Sequence, residues 1–471
     1  MDNIKVNDIK NRLANIYDIK YRDIRNDKGN ITLIYVDSLC DAKFISEYVI
    51  APMMRYTQAC NDIEKIKKEV IVASTVNDIN SLDHAVDLIL SAHVVIVFSY
   101  LNKAIYCEAK GFVKRAIDIP ITETVIKGPR EGFTENIQDN ISAIRRRIKT
   151  QDLKIENMKI GKYSKTEIAM IYIQGSAPDN LINYVRGKIN NIIEAYGENS
   201  VLSENNIEEE LRCKGTAFDT IGYTEKPDII SSKIMEGRVA ILTDGTSFAI
   251  TAPYFFIENF QTTDDYTLNK FSANLGRILR WFSFLLATLI PGLYLSLITY
   301  HFKLVPTIFL YRIAIFRAGV PVPTVVELVY MIVFFQIIRE AGVRLPQPIG
   351  PTLSIVGALI LGEAAVNSGL ASQVTVVVVA ITAIASYLIP SMQAGVFMWN
   401  LVIIGFSSLL GLPGFYMGVT IFISHLASLT SCGYPYLYPL GTLKRLKYKD
   451  VIFRGDLKNI SSDILPREEK S

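Results

Sequence analysis

Residues 364–443 read AAVNSGLASQVTVVVVAITAIASYLIPSMQAGVFMWNLVIIGFSSLLGLPGFYMGVTIFISHLASLTSCGYPYLYPLGTL. This run of 80 residues contains no Asp, Glu, Lys or Arg. Helices and strands at the surface of a water-soluble protein show a polar face, so such a run is not expected in one. The stretch therefore predicts helices that lie in a lipid bilayer.

The uncharged run belongs to a wider apolar region, residues 281–435, which holds eight of the 95 charged side chains. The remaining 316 residues carry the other 87 charges and predict a soluble part. A chain of 471 residues that is 50% hydrophobic, with a mean hydropathy of +0.26, is not disordered, collagen-like or a small disulfide scaffold. The net charge of +3 gives no signal for binding nucleic acid.

The five cysteines are scattered and form no CxxC pair, which predicts reduced packing residues and a cytosolic location for the soluble part. Residues 1–30 are charged throughout and lack the apolar core of a signal peptide. We therefore expect the first 280 residues or so to stay inside the cell.

The soluble part contains a weak internal repeat. One half starts with an apolar strand at Ile31 and reaches a strand pair in residues 93–107; the other starts at Glu167 and reaches a pair in residues 238–252. An amphipathic helix follows each first strand, and Asp244-Gly245 is typical of a tight hairpin turn. The pattern predicts two related α/β subdomains, residues 1–158 with a linking helix and residues 159–276, although two ordinary α/β halves can resemble each other by chance.

Residues 126–158 connect the two halves. They carry an apolar stripe at helical spacing, formed by Ile137, Ile141, Ile144 and Ile148. A basic cluster at the end of this helix complements the helix dipole and comprises Arg145, Arg146, Arg147 and Lys149. Two interpretations stay open: a solvated connecting helix, or a contact with anionic lipid or an acidic neighbouring subunit.

The apolar region predicts an α-helical transmembrane domain of 4–6 spans, residues 277–440, because about 20 apolar residues cross the hydrocarbon layer. The candidate segments are residues 281–301, 324–339, 349–369, 374–390, 396–410 and 415–432. Four spans with a re-entrant pair are the alternative to six, and residues 305–317 are expected to lie at the interface. Arg277 and Arg280 before the first segment, and a basic tail in residues 441–471, predict that both ends are cytosolic. The tail cations are Lys444, Arg445, Lys447 and Lys449.

Polar side chains within apolar segments are costly and are therefore candidates for an ion path. Glu363 and Glu327 are the two acidic candidates, accompanied by Gln336, Asn367 and Asn400. The alternative is structural: Glu327 lies near a helix end, and Glu363 pairs with a polar neighbour or stays protonated. If Glu363 faces a water-filled cation path, Glu363→Gln alters ion flux and preserves assembly.

Recognisable catalytic chemistry is missing from the sequence. There is no Walker A loop, GxGxxG or HExxH motif, and the four histidines are isolated, with no Cys/His spacing that suits a metal. The sequence predicts no enzyme, cofactor or metal site.

Several stretches resemble the A-subunit family of spore germinant receptors, the GerA type, over residues 30–440 or so. The most specific stretch is residues 339–369, REAGVRLPQPIGPTLSIVGALILGEAAVNSG. Others are KGPREGFTENIQDNISAIRRRIK, KYSKTEIAMIYIQG, TEKPDII and MEGRVAILTDGTSFAITAP. The family usually has Arg where this chain has Lys226. Stage V sporulation protein AF shares the architecture, but the intact REAGVRLPQPIG segment is more similar to the receptor subunits.

The resemblance implies a subunit of the inner spore membrane that works with a transporter-like B subunit and a lipoprotein C subunit. It also implies an oligomeric, nutrient-gated ion channel with a cytosolic N-terminal domain of two subdomains, and no catalytic residue. Two other hypotheses remain: a secondary transporter that binds its own substrate, for which residues 281–435 show no inverted repeat, and a non-conducting membrane scaffold.

Overall fold

The computed structural model describes residues 5–456 except 15, 27–28, 56–61, 74, 102, 112–122, 124, 162–163, 196–203, 346–349 and 442–449, and only the backbone of 26, 194–195, 204 and 350–355. The described residues form two compact units. Those of the first fall in Met1–Arg212 and Ile221–Tyr254, and those of the second in Cys213–Thr220 and Phe255–Ile460. Cys60 and the four cations of the predicted basic tail lie outside the described residues.

The described part of the first unit contains two five-stranded sheets. The strands are β1 Ile19–Asn26, β2 Gly29–Val36, β3 Val76–Asp78, β4 His93–Phe98, β5 Lys103–Glu108, β6 Leu153–Ile160, β7 Thr166–Ile173, β8 Gly222–Thr224, β9 Val239–Thr243 and β10 Ala249–Ala252. Their order is β1-β2-β4-β5-β3 in one sheet and β6-β7-β9-β10-β8 in the other. The second order repeats the first with each number raised by five, so the sequence repeat corresponds to a shared topology.

Neighbouring strands run antiparallel throughout both sheets. The predicted α/β region is therefore of the α+β type, with helices packed on antiparallel sheets. The inner strands β4 (HVVIVF) and β9 (VAILT) are buried along almost their whole length, which explains their continuous apolar sequences. The predicted strand pair is confirmed, since Ile241 in β9 pairs with Ile250 in β10. The turn is longer than the tight one expected, because residues 244–248 separate the strands, and Gly245 takes φ +88° within it.

The sequence patterns did not predict the strand that precedes the first apolar strand of each half. β1 reads IKYRDIRN and β6 reads LKIENMKI, and each pairs over eight residues with the strand that follows it. Each lies at the edge of its sheet and mixes charged with apolar residues. Residues 153–158, assigned to the connection between the halves, thus belong to β6 of the second sheet.

Helices cover the sheets of the first unit. They are α1 Val6–Arg12, α2 Ala42–Phe44, α3 Ala51–Arg55, α4 Ile63–Lys65, α5 Leu82–Leu90, α6 Ile137–Arg147, α7 Asp179–Ala195, α8 Glu204–Leu211 and α9 Pro227–Met235, with π-helical turns Ile45–Ile50 and Ile66–Val70. α5 packs on β2 and β4, and α6 and α9 pack together against β7 and β9. The predicted linking helix is α6, and its isoleucines join the core of the second sheet.

The described part of the second unit is helical apart from one two-stranded pair, β11 Thr430–Ser431 and β12 Tyr434–Pro435. Its helices are α10 Asp264–Thr267, α11 Lys270–Thr299, α12 Thr307–Arg317, α13 Thr324–Arg344, α14 Gly350–Asn367, α15 Gln373–Tyr387, α16 Gln393–Leu410 and α17 Leu412–Ser428, with 3-10 turns Phe256–Phe260, Phe302–Leu304 and Pro390–Met392. Each predicted apolar segment overlaps one of these helices, although the bounds differ by several residues. α12, the predicted interfacial segment, buries none of its residues.

Two helices, Lys270–Thr299 and Pro390–Leu410, are long and apolar enough to cross a membrane by length and composition. Three shorter apolar helices accompany them: Val356–Asn367, Gln373–Tyr387 and Leu412–Ser428. The figure of 4–6 spans therefore stays a prediction. Many large apolar side chains of this unit are exposed, among them Phe271, Ile308, Phe309, Leu359, Leu409 and Tyr416. An apolar surface of this kind favours lipid or another protein chain over water.

Candidate functional site

A buried carboxylate marks the core of the helical unit. Glu327 lies in the first turn of α13 and is 0% exposed. It enters the helix after Pro323, whose carbonyl accepts a hydrogen bond from the Glu327 N–H at 3.0 Å. A negative charge in the first turn of a helix is favoured by the helix dipole, which helps to explain a Glu at this position.

The segment that leads into α15 holds the Glu327 carboxylate. Its Oε1 accepts a hydrogen bond from the Ser372 backbone N–H at 2.5 Å. Ser372 caps α15, because its Oγ accepts from the Thr375 N–H at 3.3 Å. The Thr375 hydroxyl in turn lies 3.1 Å from the Tyr294 hydroxyl of α11. These four residues, which we call the Glu327 cluster, connect α11, α13 and α15.

The second oxygen of Glu327 is not satisfied. Oε2 is buried and has no hydrogen-bond partner, and no Lys, Arg or His nitrogen lies within 4.0 Å of the carboxylate in the described part of the chain. The surroundings are apolar, with Leu295, Leu328 and Met331 in the same core. A buried carboxylate with only one hydrogen-bond donor is costly, so the site has room for a further donor or a cation at Oε2.

The structure distributes the other predicted residues over the helical unit. Glu363 and Asn367 are exposed on α14, and neither side chain forms a hydrogen bond or ion pair with another described residue. Gln336 is half-buried on α13 and lines a cavity described below. Asn400 is 2% exposed; its Nδ2 donates to the Ala287 carbonyl at 3.0 Å, and its Oδ1 has no partner among the described residues. Only Glu327 belongs to the Glu327 cluster, and the ion-path role of all these residues stays a prediction.

Sequence reasoning missed the partners of Glu327. Ser372 and Thr375 stand at the spacing of a helix N-cap and its third residue, so the pattern Ser-x-x-Thr was the available signal. Tyr294 gave no signal, because it is distant in sequence and lies inside an apolar helix.

The basic cluster at the end of α6 is paired within the first unit. Arg145 is buried and binds Asp18 through Nε at 3.1 Å and Nη2 at 2.9 Å. Arg147 donates to Glu131 at 2.6 Å, and Arg146 binds the same carboxylate. Partial burial opposes ionisation of Glu131, but its bonds to these two arginines prevail and lower its pKa. These contacts favour a structural role for the three arginines over a lipid contact; the position of Lys149 is exposed.

The two arginines used to predict topology are also paired. Arg277 is 0% exposed and binds Asp265 at 2.9 Å and Asp450 at 2.6 Å. Arg280 binds Asp265 at 2.5 Å and donates to the Phe260 carbonyl at 2.8 Å. This network ties the start of α11 to the C-terminal segment, so the charges counted for topology are neutralised inside the unit, and the topology stays a prediction.

Among the described residues, no group of three or more His, Cys, Asp or Glu side chains is arranged to hold a metal ion. The site is therefore a set of buried polar groups in a helical unit, attached to a duplicated α+β unit.

Residues 7–463 match the family model described as "Bacillus/Clostridium GerA spore germination protein", and the chain belongs to the GerA family. Spore germination protein KA of Bacillus subtilis (strain 168) is 35% identical over 453 residues, which cover 94% of this chain and 82% of that protein. The uncharacterized membrane protein YfkQ of the same organism is 34% identical over 427 residues, which cover 90% of this chain and 82% of that protein.

A solved structure also aligns with part of the chain. It is the N-terminal domain of the A subunit of the Bacillus megaterium spore germinant receptor GerK3, with 27% identity and a TM-score of 0.40. The match covers 53% of this chain and 92% of that domain.

Proposed function

We propose that this chain is the A subunit of a spore nutrient-germinant receptor and contributes to a nutrient-gated, oligomeric ion channel in the inner membrane of the spore. The observation that carries the proposal is the family match over residues 7–463, which spans both units. Curated relatives at 30–35% identity are named as spore germination proteins. The α+β unit would be cytosolic and the helical unit would lie in the membrane.

Features of the helical unit support the membrane and channel parts of the proposal. Its exposed apolar side chains suit contacts with lipid and with further subunits. A transporter-like B subunit, a lipoprotein C subunit and further copies of this chain are the proposed partners. A closed ring of copies would supply the axial path that conduction needs.

Glu363 is the proposed pore residue and Glu327 the proposed internal anchor. Because Glu363 is exposed on a single protomer, a ring of protomers could place it beside a water-filled path. Glu327 is enclosed within one protomer and would instead hold α13 against α15. Asn367, which is also exposed on α14, would act as an uncharged companion of the path.

Germination of spores that lack the chain tests the receptor function. Deletion should abolish the release of monovalent cations and the fall in optical density that one nutrient mixture triggers, and re-expression should restore both. Germination through a non-nutrient route is the control, since it should be unaffected. Normal cation release in response to every nutrient that triggers the parent spores would contradict the proposal.

A further inference from the structure

A narrow cavity opens between α13, α15 and α16 in the helical unit, outside the Glu327 cluster. Its enclosed part has a volume of only about 50 Å³, and the space not filled by atoms reaches about 490 Å³ when the part open to the surroundings is included. One wall is apolar, with Phe335, Val379 and Phe397 among its residues. The polar lining consists of Gln336, Arg339, Thr382, Ser386, Tyr387, Gln393 and Asn400.

Arg339 gives the cavity an uncompensated positive charge. Its guanidinium is half-buried, and its single hydrogen bond to a described residue joins Nη1 to the Ser386 hydroxyl at 3.4 Å. No Asp or Glu lines the cavity. Arg344, five residues later on the same helix, differs: it is exposed and binds Glu340 at 2.6 Å. A desolvated guanidinium without a carboxylate partner favours an anionic ligand, and its fork geometry suits phosphate oxygens.

Arg339, Ser386 and Gln393 of the polar lining lie near the places where three helices end or begin, whereas Gln336 and Asn400 lie further inside α13 and α16. α13 ends at Arg344, α15 ends at Tyr387, and α16 begins at Gln393. No side chain caps the start of α16, which adds the partial positive charge of a helix N-terminus. Ile337, Ile384 and Leu388 are exposed on the same helices, so the outer surface there is apolar. If these helices cross the bilayer, this polar end lies at headgroup depth.

We propose that the Arg339 cavity binds the phosphodiester of an anionic lipid, with the first part of an acyl chain on its apolar wall. The inference rests on the membrane location proposed above. Arg339 neutralises the phosphate, while the amide and hydroxyl groups around it, Gln336, Ser386 and Gln393, supply further hydrogen bonds. The site would fix the ends of α13, α15 and α16 relative to the headgroup layer.

Native mass spectrometry of the full chain in mild detergent tests the site. Dioleoyl-phosphatidylglycerol should bind about tenfold or more tightly than dioleoylglycerol, which has the same chains but no phosphate. Arg339→Gln should remove that preference, and Arg344→Gln, the matched control on α13, should keep it. Ala383 also lines the cavity, so Ala383→Leu narrows it without changing a charge and should weaken binding too. This second variant keeps the test valid if the Arg339 variant fails to fold.

Three results would overturn the inference: equal retention of the two lipids, equal retention by Arg339→Gln and Arg344→Gln, or Arg339-dependent binding of inorganic phosphate without retention of phosphatidylglycerol. The last result would assign the cavity to a free anion. If the chain supports nutrient-triggered cation release but shows no Arg339-dependent lipid binding, only the lipid-binding inference is contradicted. Arg339-dependent lipid binding by a chain that spores do not need for nutrient germination would contradict only the proposed receptor function.

Discussion

The Glu327 carboxyl group is held in an apolar core by one backbone N–H, that of Ser372. Glu327→Gln keeps an acceptor for this N–H, whereas Glu327→Ala leaves the donor buried without a partner. We expect Ala to cost about 1–3 kcal/mol more than Gln, because an unsatisfied buried donor retains its desolvation penalty. Thermal unfolding of the full chain in detergent measures the difference. Glu340→Gln, exposed on the same helix, is the control; equal losses for Gln and Ala at position 327 would contradict the role of this bond.

The buried ion pair of the first unit gives a second prediction at the scale of one residue. Arg145→Gln leaves Asp18 buried without its cation, and we expect a loss of about 3–5 kcal/mol in the free energy of unfolding. Arg12→Gln breaks an exposed pair with Asp83 and should cost at most about 1 kcal/mol. Denaturant titration of the full chain compares the two. Similar costs would show that the Arg145 pair does not stabilise the unit.

The thiols offer a test based on pKa. Burial raises the pKa of the Cys40 thiol and of the Cys107 thiol to about 12. At Cys40, neighbouring polar and charged groups make smaller contributions to this shift. The thiolate is the reactive form, so about one buried thiol in ten thousand is ionised at pH 8. Iodoacetamide should therefore modify the partly exposed Cys213 well before Cys40 and Cys107 in the folded chain. Peptide mass spectrometry gives the order, and urea should abolish it; modification of Cys107 at the rate of Cys213 while folded would contradict the burial.

At the scale of elements, helix packing in the second unit depends on one glycine of α16. Residues 213–220 belong to the helical unit although α8 and β8 of the first unit flank them in sequence. Phe218 in this segment is 1% exposed, and a Cβ at Gly395 would lie closer than 3.0 Å to its ring. Phe218 also packs near Phe422, and Thr216 lies 3.2 Å from the His425 ring.

Two glycine substitutions in α16 separate packing from helix propensity. Gly395→Ala should destabilise the chain by about 1–3 kcal/mol, because the new methyl group displaces Phe218. Gly405→Ala has nothing within 4 Å of the new methyl group and should be neutral or stabilising by up to about 1 kcal/mol, since Ala favours helix more than Gly. Thermal unfolding in detergent gives both values. A stabilising Gly395→Ala would contradict the placement of Phe218.

How far the sequence predicted these elements depended on the type of signal. The β9–β10 hairpin was predicted because its turn dipeptide and apolar strands are local features. β1 and β6 were missed, since an edge strand that mixes charged and apolar residues resembles a surface connection. The helices of the second unit followed from composition, but the Ser372–Glu327 bond joins residues 45 apart in sequence and depends on tertiary packing.

At the scale of the whole molecule, the two parts of the chain differ in structure and composition: one contains the charge-free stretch, and the other contains the duplicated fold. The helical unit carries the exposed apolar surface, the Glu327 cluster and the Arg339 cavity. The first unit carries paired charges and two sheets of identical strand order. We expect the assembled complex to form a closed ring, and particle symmetry of the detergent-extracted complex measures this.

The channel hypothesis is tested most directly by conductance. The full chain, co-purified with its partner subunits, would be reconstituted into a planar bilayer and recorded with K⁺ or Na⁺ before and after nutrient addition. We predict a cation current that rises when nutrient is added. Glu363→Gln should change the amplitude or ion selectivity of this current without changing the size-exclusion profile of the complex. The control variant Glu340→Gln should conduct like the unmodified complex. A bilayer that remains silent with a demonstrably assembled complex would contradict the channel and favour a non-conducting scaffold.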